Sequence, residues 1–594
     1  MLSIIEKVLA AVSPGMRQRF ARRRHHRVVR TLLARIEAMA AHEREQSPRL
    51  GVETGVRISL IAPTYNTPIP YLEELIRSFE AQGVPEAELV LSDDGSPDPA
   101  TRAYLAALDR PQVRVLLNPV NGGIAAASQA GLAAAAGIWV TFIDHDDALF
   151  PHALDRILRA LDANPHCQFL YTDEVVTDSR MRAEDIFLKP AFDEVLLSGV
   201  NYVNHFSCYR RERLMALGGF RLGFDGSQDY DLLLRYTKGL RPGEALHLPY
   251  PAYRWRRDGR SYSATFMDKA TAKARKALSE RFATADGPVD VSPALLTDLH
   301  RVRFDRPGRA WPKVTAIIPS RDSPGLIRTV LEGLLAKTDY PDLHAIVIDN
   351  GTTNAETLAI YEDFGRRFPN LRVSIQPEPF NFARAINRGA GMTADGHLLL
   401  LNNDIEFLDS GWLKEMVSCL DYGDVGVVGA KLLYPDRTFQ HAGVIAGFGG
   451  LAGHWYLNLP EDYPGPMGRL AVRQALSVVT GACFLVSRAC WTATGPMDEA
   501  RFAIAYNDVD FCLRARELGF RVIWTPFATM LHHESASRGS DETPQNIERF
   551  RREQDNLRER HRTDRMSDPA ISPWFTTDRS VPEMKLLDFL PPAR

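Results

Sequence analysis

From Val56 onward the chain repeats one figure: a short apolar run, an abrupt group of polar or acidic residues, then a stretch with helical spacing. The first run, Val56 to Ala62, gives way to Pro63-Thr64-Tyr65-Asn66, and the pattern predicts a helix from Ile69 to Gln82. Glu88 to Ser92 is the next strand, closed by Asp93-Asp94-Gly95-Ser96. Val113 to Leu117 is a third, followed by Asn118 to Gly123 and an alanine-rich helix. A fourth run, W-V-T-F-I-D-H-D-D-A-L from Trp139 to Leu149, breaks off in Asp144, Asp146 and Asp147. Apolar runs bounded by polar residues read as buried strands. Their alternation with helices predicts a mainly parallel α/β sheet, with polar groups gathered beyond the strand ends where open sheets bind ligands. Carboxylates at such an end can share a hard divalent cation whose other ligands come from a substrate diphosphate. The plainer alternative is a polar turn that caps a strand.

The whole figure occurs twice. Pro63 in I-S-L-I-A-P-T-Y-N answers Pro319 in T-A-I-I-P-S-R-D, an offset of 319 − 63 = 256. Asp93 answers Asp349 in V-I-D-N-G-T at 349 − 93 = 256, and Asp146 answers Asp404 in L-L-N-N-D-I-E at 404 − 146 = 258. Later, S-Q-D-Y-D-L-L-L-R answers Y-N-D-V-D-F-C-L-R, with Asp229 against Asp508 at 508 − 229 = 279. The larger last offset predicts an insertion of roughly 20 residues in the second copy, placed in the Gly/Pro-rich stretch Gly447 to Gly468. A period this long marks a duplicated domain rather than a solenoid.

Composition narrows the class without naming it. A chain of 594 residues has room for two to four domains. With 45% hydrophobic and 24% charged residues it falls in the ordinary range of soluble proteins. A net charge of −3 gives no sign of a nucleic-acid partner. Six cysteines (Cys167, Cys208, Cys419, Cys483, Cys490, Cys512) form no C-x-x-C pair and no metal-finger spacing, which suits a reduced, cytoplasmic chain. No secretory signal and no membrane-length apolar run is found.

Residues 1–54 differ from the rest. Leu2, Ile4, Ile5, Val8, Leu9 and Val12 share a helical face, and a basic run from Arg17 to Arg27 follows Pro14-Gly15. Such a segment, through residues 1–30, suits peripheral contact with an anionic membrane surface; the alternative is a solvated helix packed on the first domain. The expected division is 55–285 for the first domain, 286–312 for a partly extended linker, 313–565 for the second domain, and 566–594 for a proline-punctuated tail that packs as an arm or stays mobile.

The ordered motifs P-T-Y-N, D-D-G-S, N-G-G-I-A-A-A-S-Q-A-G, D-H-D-D and Q-D-Y-D-L resemble the family 2 glycosyltransferases, which have the GT-A fold. The second copy is similar to the same family through I-I-P-S-R-D, D-N-G-T, F-N-F-A-R-A-I-N-R-G, L-L-N-N-D, T-G-A-C-F-L-V-S-R and N-D-V-D-F-C-L-R-A-R-E-L-G. That copy looks closer to bacterial rhamnosyltransferase-like and O-antigen enzymes. The resemblance implies two tandem GT-A domains that move sugars, with inversion, from nucleoside-diphosphate-sugar donors to a saccharide or lipid-linked saccharide acceptor at the cytoplasmic face of the inner membrane.

The resemblance also assigns residues. Thr64, Tyr65, Asn66, Asp93 and Asp94 in the first copy, with Ser320, Arg321, Asp349 and Asn387 in the second, would bind the donor. Asp144 and Asp146 in one copy and Asp404 in the other would hold Mn²⁺ or Mg²⁺, a Lewis acid for the departing diphosphate. Asp229 and Asp508 would be the catalytic bases; each also sits where a helix-capping aspartate is favoured, a job better suited to Asp231 and Asp510. His532 or His533 would add a metal or diphosphate contact, with Ser535, Ser537 and Arg538 near the phosphates. Arg254 stands at about the same position in the first copy, where it can clamp phosphate but cannot ligate a cation. Asn402 replaces Asp144 in the second copy. These exchanges keep open a reading in which one domain works and the other binds acceptor or serves as scaffold. A nucleotidyltransferase would need a glycine/lysine-rich phosphate loop after the first strand, and neither P-T-Y-N-T-P nor P-S-R-D-S-P supplies one.

Overall fold

The computed structural model describes residues 14–47, 55–257, 262–285, 287–533, 543–544 and 546–585. They form two compact units, the first built on residues up to 192 and 201–282, the second on 193–200 and 283–583.

The first unit holds a nine-stranded sheet of β1 (Ile58–Thr64), β2 (Ala87–Asp93), β3 (Val113–Leu117), β4 (Trp139–Phe142), β5 (Ala148–Leu149), β6 (Phe169–Thr177), β7 (Ala183–Phe187), β8 (Ser207–Arg210) and β9 (Ala245–Arg256). Its order is β3-β2-β1-β4-β8-β6-β9-β5, with β7 on β6. The four strands from β3 to β4 are mutually parallel. Beyond β4 the sheet is mixed: β8 runs antiparallel to β4 and β6, whereas β6 and β9 are parallel. Every residue of β1 and β2 is buried, which is why these strands read as unbroken apolar runs rather than as alternation.

The second unit opens with a short antiparallel pair, β10 (Asp290–Pro293) and β11 (His300–Arg303), so the stretch expected as a linker carries a hairpin of its own. Its main sheet joins β12 (Val314–Ser320), β13 (Leu343–Asp349), β14 (Leu371–Ile375), β15 (His397–Leu401), β16 (Ile405–Phe407), β17 (Val425–Leu433) and β18 (Phe439–His441). A small separate pair, β19 (Val444–Ala446) and β20 (Ala452–His454), comes next in the chain; β21 (Gln474–Leu476), β22 (Cys483–Val486) and β23 (Arg521–His532) complete the main sheet. The order β14-β13-β12-β15-β22-β17-β23-β16 repeats that of the first unit strand for strand. Register repeats too: Thr64 pairs with Asp93 and Ser320 with Asp349, each 29 residues on (93 − 64 and 349 − 320).

Close packing at one glycine is duplicated as well. Gly131, in the helix Ile124–Ala134, lies over Ile61, and a Cβ there would meet that side chain at 2.4 Å. Gly389, in the helix Phe382–Gly391, lies over Ile317 at the same 2.4 Å. In both units a missing side chain seats the helix against the first strand.

The copies part between β6 and β8, and between β17 and β22. Thr177 and Ser207 are 207 − 177 = 30 positions apart, whereas Leu433 and Cys483 are 483 − 433 = 50 apart. The 20 extra residues are the predicted insertion, and β19 and β20 lie within this stretch. Residues beyond 565 pack against the inserted segment: Asp568 accepts from Ala446 N–H at 2.8 Å, while the Gly449 and Tyr456 amides donate to the carbonyls of Thr577 and Ser580. Ala570, Ile571 and Trp574 are buried there. Ahead of the first unit's sheet, the helix Pro14–Gln46 buries Val29, Leu32, Leu33, Ile36 and Ala40, and Arg22 and His25 pair with Glu184 and Asp185.

Candidate active sites

The ends of the first two strands are tied together in each unit. Asp93 is fully buried and accepts from the Ser96 N–H at 3.0 Å and from the Ser96 and Thr64 hydroxyls. Its counterpart Asp349 accepts from Thr352 N–H at 2.6 Å and from the Tyr361 hydroxyl at 2.7 Å. Asn66 and Asp322, both left-handed (φ 49° and 45°), brace the same turns by receiving amides of the neighbouring loop, a conformation Asn and Asp tolerate better than most residues. Asp94 takes the Gly122 and Gly123 amides at 2.8 and 2.9 Å. Thr64, Asn66, Asp93 and Asp94 therefore set the loops, and the side chains left facing solvent at this end are Tyr65, 45% exposed, and Arg321.

In the second unit these strand ends open into a cleft of about 480 Å³. Ser320, Arg321 and Asn350 line one end; Asn402, Asn403, Asp404 and His532 lie along it; Thr480, Gly481, Tyr506, Asn507 and Asp508 close the other. Asp508 stands in the first turn of the helix Asn507–Glu517 and is fixed by the Gly481 N–H at 2.7 Å and the Val509 N–H at 2.8 Å. Two residues on, Asp510 points the other way and pairs with Arg514 at 2.9 Å and His561 at 2.9 Å. Asp404 is 6% exposed, and its Oδ1 lies 3.2 Å from His532 Nε2.

The first unit gathers the matching residues but engages them differently. Asp144 faces His205 at 3.5 Å, and the other ring nitrogen of His205 meets Glu174 at 3.1 Å. The imidazole stacks on Tyr253, centroids 4.6 Å apart and planes 8° from parallel. Burial lowers the imidazole's basicity, but hydrogen bonds and charge from Asp144 and Glu174 reverse this and hold the His205 pKa well above the usual imidazole value. Burial pushes Asp144 up, and His205 more than offsets it, leaving that carboxyl below its ordinary value. The Tyr253 hydroxyl accepts from Asp144 N–H at 3.0 Å and donates to Asp147 at 2.6 Å. Asp229 accepts from the Asn201 side chain at 3.4 Å; burial raises its pKa, His205 opposing and Asp144 reinforcing the shift. Asp231 is paired with Arg221 and, at 3.0 Å, with Arg235.

Several expected residues lie away from the acids they were expected to join. Arg254 leaves the acids: its guanidinium donates to the Met181 carbonyl, because β9 turns Tyr253 and Trp255 toward His205 and Arg254 to the opposite face. Arg256, by contrast, caps the Asp146 carbonyl at 2.6 Å. Asn387 is spent on the backbone of Met497, donating to its carbonyl and accepting its amide, each at 2.9 Å. At the end of β23 alternation sends the His532 ring to Asp404 and the His533 ring to Glu406 at 3.1 Å, in a separate cavity of about 540 Å³ whose wall also includes Asp404. Ser535, Ser537 and Arg538, like residues 1–13, lie outside the described residues. Sequence reading missed His205, Glu174, Gln440 and His454.

The second cleft fits a hard divalent cation that takes most of its ligands from a diphosphate, since Asp404 Oδ1 and His532 Nε2, 3.2 Å apart, both line it. Among the described residues, no three His, Cys, Asp or Glu side chains converge as a self-sufficient metal site. In the first unit Asp144 is held by His205 and Asp147 by Tyr253, leaving Asp146 as the less committed carboxylate.

Comparison with known proteins agrees with this architecture. Residues 59–218 match the Glycosyl transferase family 2 profile and residues 312–556 the Glycosyltransferase like family 2 profile. The chain belongs to family 2 of the glycosyltransferases and carries two GT-A domains in tandem. An uncharacterized protein, y4gI, of Sinorhizobium fredii is 37% identical over 92% of this chain and 60% of its own length. The O-antigen biosynthesis protein RfbC of Myxococcus xanthus is 39% identical over 82% of this chain and 38% of its own. The chain thus spans well under two thirds of either relative. A crystal structure of S. aureus TarS with UDP-GlcNAc shares 21% identity over 39% of this chain and 68% of that one, at a TM-score of 0.32.

Proposed function

We propose that the chain is an inverting, bifunctional glycosyltransferase that adds sugars from nucleoside-diphosphate-sugar donors to a growing bacterial surface polysaccharide or its lipid-linked precursor. The observation that carries this is the second cleft, where Asp404 and a backbone-fixed Asp508 line one cavity whose far end is the strand-end loop pair. In that reading the acceptor hydroxyl oxygen attacks the anomeric carbon while the Asp508 carboxylate takes its proton. The bond from that carbon to the diphosphate oxygen breaks on the opposite side, and the nucleoside diphosphate leaves. Asp404 and His532 would hold a Mg²⁺ or Mn²⁺ ion, which when bound offsets charge on the departing diphosphate. Asp229 takes the role of Asp508 in the first unit.

A second reading has one catalytic domain and one that binds acceptor or donor, and the Asp144–His205–Glu174 arrangement supports it. Peripheral membrane contact belongs to the same proposal. Arg23, Arg24, Arg27, Arg30 and Arg35 are exposed on one side of the helix Pro14–Gln46 and have no acidic partner among the described residues. Its apolar side is already buried in its own unit, so contact with an anionic leaflet would be electrostatic rather than insertive. No helix among the described residues is long and apolar enough to cross a membrane.

The test is transfer from a panel of UDP-, GDP- and dTDP-sugars with Mn²⁺ or Mg²⁺ and a crude lipid-linked acceptor extract. Incorporation of the sugar added by the second domain should fall about a thousandfold in Asp508→Asn. No incorporation from any donor, or full activity in that variant, would sink the reading.

A further inference from the structure

Among the described residues only two of the Phe, Tyr and Trp side chains are exposed, Tyr65 at 45% and Phe380 at 37%. There is one in each unit, and both stand in loops that follow parallel strands of the main sheet. An aromatic ring left in water forgoes the large apolar burial such a side chain ordinarily gains. The two rings do not occupy matching positions.

Tyr65 follows Thr64 at the end of the first strand, and the residue after the matching Ser320 is Arg321. Phe380 comes instead from the loop after β14. Leu117 and Ile375 end the third strands, paired with Asp93 and Asp349, and the glycines over the first strands are Gly131 and Gly389. Both offsets are 258 (375 − 117 and 389 − 131), so no residue is gained or lost between these anchors and Phe380 stands where the first unit has Gly122. A ring does not fit there in the first unit: Asp94 holds the Gly122 amide at 2.8 Å, and a Cβ on Gly122 would meet the Ala126 Cβ at 2.8 Å. In the second unit Asn350 replaces Asp94 and ties the loop at Glu378. Its side chain donates to the Glu378 carbonyl and its own carbonyl accepts the Glu378 N–H, each at 3.3 Å. Asn381 is fixed on the other side, donating to the Glu499 carbonyl at 3.0 Å and accepting the Arg384 N–H at 2.9 Å. Phe380 is presented between these two ties.

Phe380 lines the second cleft with Ser320, Arg321 and Asn350, whereas Asp508 closes the other end. A reacting sugar has to lie beside Asp508, so the part of a donor that reaches Phe380 is its nucleoside. Every nucleobase has a flat π-face that stacks on aromatic rings and on guanidinium planes. Phe380 and Arg321 supply one of each to the same cavity.

We propose that Phe380 is the nucleobase-stacking residue of the second domain, doing from the third-strand loop what the exposed Tyr65 is placed to do from the first-strand loop of the first domain. This rests on the transferase reading of the same cleft. The test uses the full chain with Mn²⁺, comparing wild type, Phe380→Ala and Phe380→Tyr. Donor and acceptor KM are measured for the sugar addition that Asp508→Asn abolishes, and calorimetry compares UDP, GDP and dTDP with inorganic pyrophosphate.

Phe380→Ala should raise donor KM and weaken nucleoside-diphosphate binding at one site roughly tenfold, while acceptor KM and pyrophosphate affinity stay within about twofold. Any addition lost in Asp229→Asn should be unaffected. Phe380→Tyr keeps the ring and should restore most of the loss, and thermal unfolding of both variants should match wild type because the side chain is exposed. Unchanged donor KM and nucleoside-diphosphate affinity in Phe380→Ala would overturn the proposal. So would a rise confined to acceptor KM, which would place the ring against an acceptor sugar, or an equal fall for pyrophosphate. A wild-type chain that binds no nucleoside diphosphate would sink the transferase reading itself, and the stacking role with it.

Discussion

The acid that follows β4 and the acid that follows β15 occupy matching places in one duplicated frame, yet they live in different surroundings. Asp144 lies against a charged His205 that is itself clamped by Glu174 and stacked on Tyr253. Asp404 instead meets His532, the last residue of β23, whose Nε2 lies 3.2 Å from its Oδ1, and the Gly481 amide orients Asp508. Strand order, the 29-residue register between the first two strands and even the glycine over the first strand are the same in both. The difference lies in the segment between β6 and β8, which supplies His205, and its counterpart between β17 and β22. Packing fixes the frame because a change in it disturbs a whole core, whereas this segment can lengthen or exchange charge at small cost to the fold. Specificity and charge are therefore free to diverge where the two cleft walls are made.

Removing the imidazolium breaks the comparison hardest. His205→Ala removes the cation between Asp144 and the buried Glu174, leaving Glu174 only Lys189 at 3.9 Å as a positive partner, so the first unit should lose on the order of 3 kcal/mol, seen as a lower first transition in thermal or denaturant unfolding. The pH dependence has a definite sign. Because the folded pKa of His205 is raised, its contribution is full below the ordinary imidazole value and is lost as pH rises through the raised value. Asp144 is shifted down, so its share is present above the ordinary carboxylate value and disappears as pH falls through the depressed one. The wild-type advantage over His205→Ala should thus be largest between those two ordinary values.

Chelation or Asp404→Ala comes next. Transfer by the second domain should fall by on the order of a hundredfold, and added Mn²⁺ should restore the chelated wild type but not the variant. Equal restoration would remove Asp404 from the metal site. A smaller effect sharpens the shared frame: Gly131→Ala and Gly389→Ala each force a Cβ into an isoleucine, and each should cost about 2 kcal/mol of unfolding free energy. Markedly unequal costs would show that the two helices are seated differently. The smallest effect concerns the arginine face, where replacing Arg27 and Arg30 by glutamate should weaken binding to anionic vesicles in a salt-sensitive way. The expected loss is about 1 kcal/mol per charge removed, with neutral vesicles unaffected. Binding to anionic vesicles unchanged by charge or salt would exclude that surface.

Much of this was legible in the sequence because buried parallel strands and their polar ends have a strong one-dimensional signal. Asp229, Asp508, Asp144 and Asp404 were all found as residues following an apolar run or opening a helix, and the structure gathers them beside their partners. What was not legible depends on the alternation of single residues at a strand end. Which of Arg254 and Arg256 reaches Asp146, and which of His532 and His533 meets Asp404, turns on one-position register, which pattern reading does not resolve. Asn387 misled for a different reason: its motif position matches, but both functions of its amide are used on Met497. His454 lies in the inserted segment and Gln440 on β18, which takes the place of β7 without repeating its residues, so only the folded chain reveals that they reach the cleft.

The central claim is that one site has been built twice and that both copies transfer sugar. Its most direct test is product analysis of Asp229→Asn beside Asp508→Asn with the same donors and acceptor extract. The account predicts that each variant loses a different sugar addition while retaining the other. An Asp229→Asn enzyme that makes every wild-type product at the wild-type rate would contradict it, leaving the first domain as a binding module.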